Sequence, residues 1–218
     1  MNAIEEFESR QSRTYRIVNE VFNSITHGIG TGLSIAGLVI LIVVAVRTGG
    51  AMKIVAFSVY GATLILLYLF STLYHSLTFT RAKKVFKIFD HSCVYILIAG
   101  TYTPYSLVTV SGATGWVLFG IIWALAIMGV VSKSIWMDKY EKFSTVIYVA
   151  MGWLCIFFIK PIYTGLGKDG FTLLLLGGLA FTVGAVFYSL RVKFMHVVWH
   201  FFVLLGTILM YFSILFYA

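Results

Sequence analysis

His196-Val197-Val198-Trp199-His200 sets two imidazoles four residues apart near the start of the last apolar run of the chain. On an α-helix that spacing puts both rings on one face, with Cβ atoms about 5–6 Å apart. Two imidazoles so placed can share one metal ion. The stretch that follows is almost wholly apolar to Ala218, so the pair enters a hydrophobic span. Ionisable groups inside a membrane are costly to keep, which makes them functional-site candidates by default. The alternative is a pair of packed histidines hydrogen-bonded to neighbouring helices.

Other short patterns carry the same chemistry. Ser71-x-x-x-His75 puts a hydroxyl one helical turn from an imidazole on the same face, and Glu20-x-x-Asn23-x-x-x-His27 makes another single-face stripe. A catalytic zinc ion takes three protein ligands plus a water; His75, His196 and His200 would supply the three from two helices. Asp90 would orient the metal-bound water and serve as general base, the metal making that water acidic enough to react near neutrality. Ser71 would hydrogen-bond the water, or a substrate carbonyl as it becomes an oxyanion. Glu20, Asn23 and His27 fit a supporting shell around the metal or the lining of a polar cavity. Each role has an alternative. Asp90 could form an ion pair with Lys87 or Arg81, Ser71 could bond its own helix carbonyl, and Glu20 could be an interfacial residue. His91 follows Asp90 but lies about 100° round a helix from it, and is expected to face another helix or the interface.

These residues need elements to hold them. The chain has 218 residues, 60% of them hydrophobic and 11% charged, with a mean hydropathy of +0.96. Soluble domains carry about 25% charged residues, so the composition reads as an all-α, polytopic membrane protein. A bilayer span needs about 20 apolar residues. Apolar runs at 22–46, 54–78, 88–110, 115–133, 143–160, 171–190 and 194–217 predict seven transmembrane helices. Residues 1–19 form a short polar segment before a transmembrane domain over 20–218, and no cleavable signal is expected. Cys93 and Cys155 fall on different spans, towards opposite faces, so no disulfide is expected between them.

The net charge of +8 could suggest nucleic acid, but the basic residues are shared among short connections, which topology explains better. One set of connections holds Arg10, Arg13, Arg16, Arg81, Lys83, Lys84, Lys87, Lys133, Lys139, Lys142, Arg191 and Lys193; the other holds Arg47, Lys53, Lys160 and Lys168. The positive-inside rule places the N-terminus in the cytoplasm and the C-terminus outside a plasma membrane. At 1.5 Å per residue, His200 and His27 then lie about 10 Å below the inner surface, His75 about 9 Å and Asp90 about 5 Å. Every histidine in the chain belongs to the cytoplasmic third. Scattered core histidines would not cluster by depth in this way.

Some signals concern packing alone. Ser24, Gly28, Gly32 and Ala36 form a small-residue stripe that lets helix backbones approach. Pro104 should kink the third span, and Tyr163-Thr164-Gly165-Leu166-Gly167 reads as an external turn.

Taken together, Glu20-x-x-Asn23-x-x-x-His27, Ser71-x-x-x-His75, Asp90-His91, Ala99-Gly100-Thr101-Tyr102-Thr103-Pro104 and His196-x-x-x-His200 resemble the hemolysin III branch of the progestin and adipoQ receptor family. The resemblance runs in order from the first span to the last. It implies seven helices, a cytoplasmic N-terminus, zinc on His75, His196 and His200, and kinship with alkaline ceramidases and related membrane hydrolases. Some relatives carry Asp-Tyr where this chain has Asp90-His91, so no role for His91 transfers. The expected function is zinc-dependent hydrolysis of an amide or ester bond in a lipid-like substrate, with a part in membrane-lipid homeostasis. Two other readings stand beside it: a cytolytic pore, which the family name implies, and a non-catalytic receptor of membrane state with structural zinc. A retinal protein is disfavoured because residues 194–217 hold no lysine. A b-type haem needs one histidine on each side of the iron, which one helical turn cannot provide.

Overall fold

The computed structural model describes residues 11–136, 141–190 and 192–218. Among these the chain is all helical: α1 (Arg13–Thr48), α2 (Ala51–Ser76), α3 (Lys83–Pro104), α4 (Gly112–Trp136), α5 (Glu141–Gly152), α6 (Ile159–Ser189) and α7 (Met195–Tyr217). A π-helical turn, Tyr105–Val110, extends α3, and a 3₁₀ segment, Trp153–Phe158, joins α5 to α6. Most of the polar segment 1–19 lies outside the described residues, as do Arg10, Lys139, Arg191 and the side chain of Lys142.

Six helical runs are long and apolar enough to cross a membrane. One of them, Ser144–Ser189, has 46 residues, about 69 Å of helix against a hydrocarbon core of about 30 Å. It is interrupted at Gly167, whose φ of 66° and ψ of −176° leave the helical region. That combination is open essentially to glycine alone. It falls in the stretch where the sequence predicts a turn, although Tyr163–Leu166 are helical up to it.

The outward faces are apolar. Ile29 and Leu33 of α1 are 58% and 56% exposed, as expected where the solvent is hydrocarbon and burying apolar surface gains little. The inward faces hold the polar residues. α1 packs along α2, α2 along α3, α3 along α4 and α6 along α7, while α1 also meets α7 and closes the bundle. A core of Leu41, Phe57, Tyr60, Tyr68, Leu97, Ile162, Val203 and Ile214 joins α1, α2, α3, α6 and α7. A second cluster, with Tyr95, Ala99, Leu118, Ile122 and Met151, joins α3 and α4 to α5.

One packing expectation changes in part: Ser24 bonds the Thr72 carbonyl of α2 and Gly28 lies against Thr72, but the stripe does not continue inward. The buried small-residue face of α1 carries Gly30, Ser34 and Gly37, whereas Gly32 and Ala36 are exposed. Gly30 faces the ring of Tyr68, which a Cβ would meet at 2.6 Å. Hydroxyl and glycine spacing alone could not say which of two neighbouring stripes turns inward; the bulk of Tyr68 decides it. At Pro104, where the sequence predicts a kink, the helical winding changes. The α-helix ends there and continues as the π-helical turn Tyr105–Val110, a wider winding that tolerates the hydrogen bond proline removes.

Candidate metal centre

His75 sits in the last turn of α2, and His196 and His200 in the first two turns of α7. Ring centroids are 5.1 Å apart for His75–His196, 5.0 Å for His75–His200 and 4.9 Å for His196–His200. Ligand nitrogens of the three all lie within 4.8 Å of one another. The start of α7 is set by a sharp turn: Phe194 adopts a left-handed conformation, φ 64°, which costs a bulky residue about 1–3 kcal/mol. Tyr15 of α1 holds that turn, accepting a hydrogen bond from the Phe194 N–H at 3.0 Å and packing edge-on against its ring at 5.0 Å.

The surroundings choose which nitrogen each ligand offers. Nδ1 of His75 is 2.5 Å from Oε2 of Glu20. A carboxylate only accepts, so Nδ1–H donates and Nε2 keeps a bare lone pair. That Nε2 is buried and has no protein partner. Glu20 is itself fixed: Oε1 accepts from Thr78 Oγ1 at 3.0 Å and from Lys83 Nζ at 3.4 Å, and Lys83 also donates to Thr78 at 2.6 Å. On the other side, Nδ1 of His200 lies 3.3 Å from the Asn23 carbonyl and 3.2 Å from Thr26 Oγ1. Thr26 gives its own proton to the backbone of Phe22 or Asn23, so Nδ1–H of His200 donates and Nε2 again is left as the ligand atom. This is the arrangement that orients imidazole towards a metal. An all-imidazole set in which His75 and His200 have their outer nitrogens hydrogen-bonded suits zinc or a similar divalent ion, so the residues present fit the expected group.

The remaining sequence candidates collect around this centre. His27, 3% exposed, stacks on His200 with centroids 3.6 Å apart and planes within 7°, and Tyr68 meets its edge at 4.9 Å. Asn23 contributes through its backbone carbonyl; its side-chain amide has no protein partner. Ser71 and Asp90 line the cavity side by side, and among the described residues Asp90 makes no ion pair with Lys87 or Arg81.

His91 departs from the expectation. It faces neither the interface nor a helix alone, but lines the same cavity as Asp90, with Nε2 4.0 Å from Asp90 Oδ2. The 100° step is right for the backbone, but the cavity is wide enough to take both side chains. Thr26, Thr78, Lys83 and Tyr68 also support the site and were not singled out from sequence. Thr26 precedes His27 on the helix face next to it and could have been found by helical projection. Thr78 and Lys83 lie in the α2–α3 turn, where nothing in the sequence signals which way they point.

The cavity runs from His27, His196, His200, Ser71, Asp90 and His91 at one end to Tyr105, Ile162, Leu174 and Met210 at the other. Beyond its polar end its walls are mainly Leu67, Val94, Leu97, Ile98, Phe181, Trp199 and Val203. Its shape is that of a site for a molecule with one polar group and a long apolar remainder.

The profile of the family described as haemolysin-III related matches residues 15–211. Hemolysin-3 of Bacillus cereus is 49% identical over 212 residues, covering 97% of each chain. The Hemolysin-3 homolog of Bacillus subtilis (strain 168) is 46% identical and covers 94% of this chain and 96% of its own. The monocyte to macrophage differentiation factor of Homo sapiens is 27% identical over 164 residues, covering 72% of this chain and 67% of its own. No solved structure matches significantly.

Proposed function

The chain belongs to the haemolysin-III-related family, and on that premise we propose that it is a zinc-dependent membrane hydrolase cleaving an amide or ester bond in a lipid-like substrate. The observation that carries this reading is the convergence of His75, His196 and His200 beside the Ser71–Asp90 pair at the polar end of a deep apolar cavity. In this reading His75 and His200, through Nε2, and His196 would hold the ion, which would supply an acidified water and polarise the scissile carbonyl.

The chain's own groups do the rest. Leu67, Val94, Leu97 and Val203 hold the apolar part of the substrate and keep bulk water from it. That positions a bond near the headgroup–acyl boundary against the polar end. Asp90, steadied by Ser71, takes a proton on a carboxylate oxygen from the attacking water and returns it to the leaving group. Glu20 keeps the His75 proton on Nδ1 and the ring in place. We read the 46-residue run as two crossings that meet at Gly167, which gives seven spans with the N-terminus in the cytoplasm and the site in the inner leaflet of the plasma membrane.

Metal analysis of the purified protein is the direct test. The expected result is one zinc per chain, lost in His196→Ala and His200→Ala; a chain without zinc, or with zinc indifferent to those changes, ends the proposal. Release of fatty acid from N-acyl and O-acyl lipids then separates a catalytic ion from a structural one. The relatives' name carries cytolysis as a second reading. The imidazoles and the carboxylate of the cavity are gathered at one end, which is unlike a pore lining. Dye release from liposomes containing the protein, abolished by His200→Ala, would favour that reading instead.

A further inference from the structure

The buried face of α1 contains polar atoms that the metal site does not use. Asn19, Asn23 and His27 recur at four-residue spacing and are 2%, 1% and 3% exposed. Asn19 Oδ1, both side-chain amide atoms of Asn23 and both ring nitrogens of His27 are buried with no protein partner. That is five donor or acceptor atoms in one line. Buried polar groups are almost always satisfied, and a cluster of exceptions in a native fold points to a small polar ligand.

The line has a direction. One turn before Asn19, Tyr15 bonds the Phe194 N–H at the start of α7. At the far end, His27 stacks on His200 and the Asn23 carbonyl takes the His200 proton. The face therefore follows the seam between α1 and α7 from the inner end of both helices to the metal ligands. The groups are neutral and offer both donors and acceptors at about 6 Å intervals along the helix. A cation would want carboxylates; Glu20, the nearest, is committed to His75, Thr78 and Lys83. Water matches the set.

We propose that the α1–α7 seam holds a file of bound water, carried by Asn19, Asn23 and His27, that connects the inner membrane face to the His200 side of the metal centre. Its purpose rests on the hydrolytic reading above. Cleaving an amide or ester consumes one water per bond: the hydroxyl goes to the acyl carbon and the proton to the leaving nitrogen or oxygen. A substrate filling the apolar cavity would block water from that side, and the seam provides a separate route.

Radiolytic hydroxyl-radical labelling in ¹⁸O water tests this on the full chain in lipid nanodiscs, since radicals form where water is held and mark the nearest side chains. His27 and its edge neighbour Tyr68 should take up label several-fold faster than Tyr60, which is equally buried but lies about two helical turns farther along α2 from Asn19 and Asn23. Asn19→Leu with Asn23→Leu should bring His27 and Tyr68 down to the Tyr60 rate. The proposal is overturned if His27 and Tyr68 label no faster than Tyr60 in the unaltered protein, a comparison that needs no variant. It is equally overturned if the leucine replacements, or Asn23→Val alone in case the pair does not fold, leave His27 labelling unchanged, because the water would then come through the cavity. Zinc measured on the same samples keeps the two readings apart. A dry seam with zinc bound removes this proposal alone, and a labelled seam without zinc leaves it standing while the hydrolase reading falls.

Discussion

Glu20 and the Asn23 carbonyl set which nitrogens of His75 and His200 are left free, so the metal binding proposed for the centre depends on residues outside the three histidines. Such supporting partners are typically worth about 10–100-fold in metal affinity. Glu20→Gln should therefore keep the fold and weaken zinc retention by about that factor, measured by competition with a chelator of known affinity. A variant as tight as the unaltered chain would mean the His75–Glu20 contact is incidental. Tyr68 acts through packing: its hydroxyl bonds Thr207 Oγ1 at 2.5 Å while its ring bounds His27. Tyr68→Phe should keep the ring contact and lose about 1 kcal/mol of stability, seen as a fall in thermal midpoint of a few degrees with zinc content unchanged. At this scale the sequence shows which residue types recur at helical spacing. It does not show that Ser71 and Asp90 line one cavity, or that His91 enters it, because χ angles and cavity width are set by neighbours from other helices.

The elements are legible where a run is long, apolar and bounded by charge, as for α4 between Gly112 and Trp136 or α7 to Tyr217. They are less so at interruptions, where local geometry depends on tertiary fit. Gly167 shows this: its backbone conformation admits essentially only glycine, and it breaks a helical run that otherwise continues through Ser189. Gly167→Ala should cost about 1–3 kcal/mol, read from the thermal midpoint, with zinc binding intact because the site lies at the opposite end of α6. Gly30 gives the complementary case. A side chain there would push into Tyr68, and overpacking of this kind typically costs about 1–3 kcal/mol. Because Tyr68 abuts His27, and His27 stacks on His200, Gly30→Val should lower both the midpoint and the zinc content. Loss of stability with full zinc would show that the chain of contacts from α1 to the ligands is compliant.

Across the whole molecule, the histidines and Asp90 gather at one end of a bundle whose outward helix faces are apolar. The uneven distribution of lysine and arginine predicts that this end faces the cytoplasm. An epitope fused before Met1 should then be protected from externally added protease in intact cells, and one fused after Ala218 should be cleaved. Cleavage of the first and protection of the second would reverse the orientation and place the site in the outer leaflet.

The sequence by itself determined that the chain is helical and membrane-embedded, because hydrocarbon admits only self-satisfied backbone and the composition leaves no other solvent. It also predicted that His75, His196, His200 and Asp90 fall in the same third of their spans, since rise per residue is fixed. Only the tertiary structure decided that α2 and α7 bring those histidines within 4.8 Å, that Gly30 rather than Gly32 faces the core, and that Asn19 and Asn23 line an inner seam. Depth is a property of one helix and its medium; rotation and approach are properties of pairs of helices, fixed by side chains far apart in the chain.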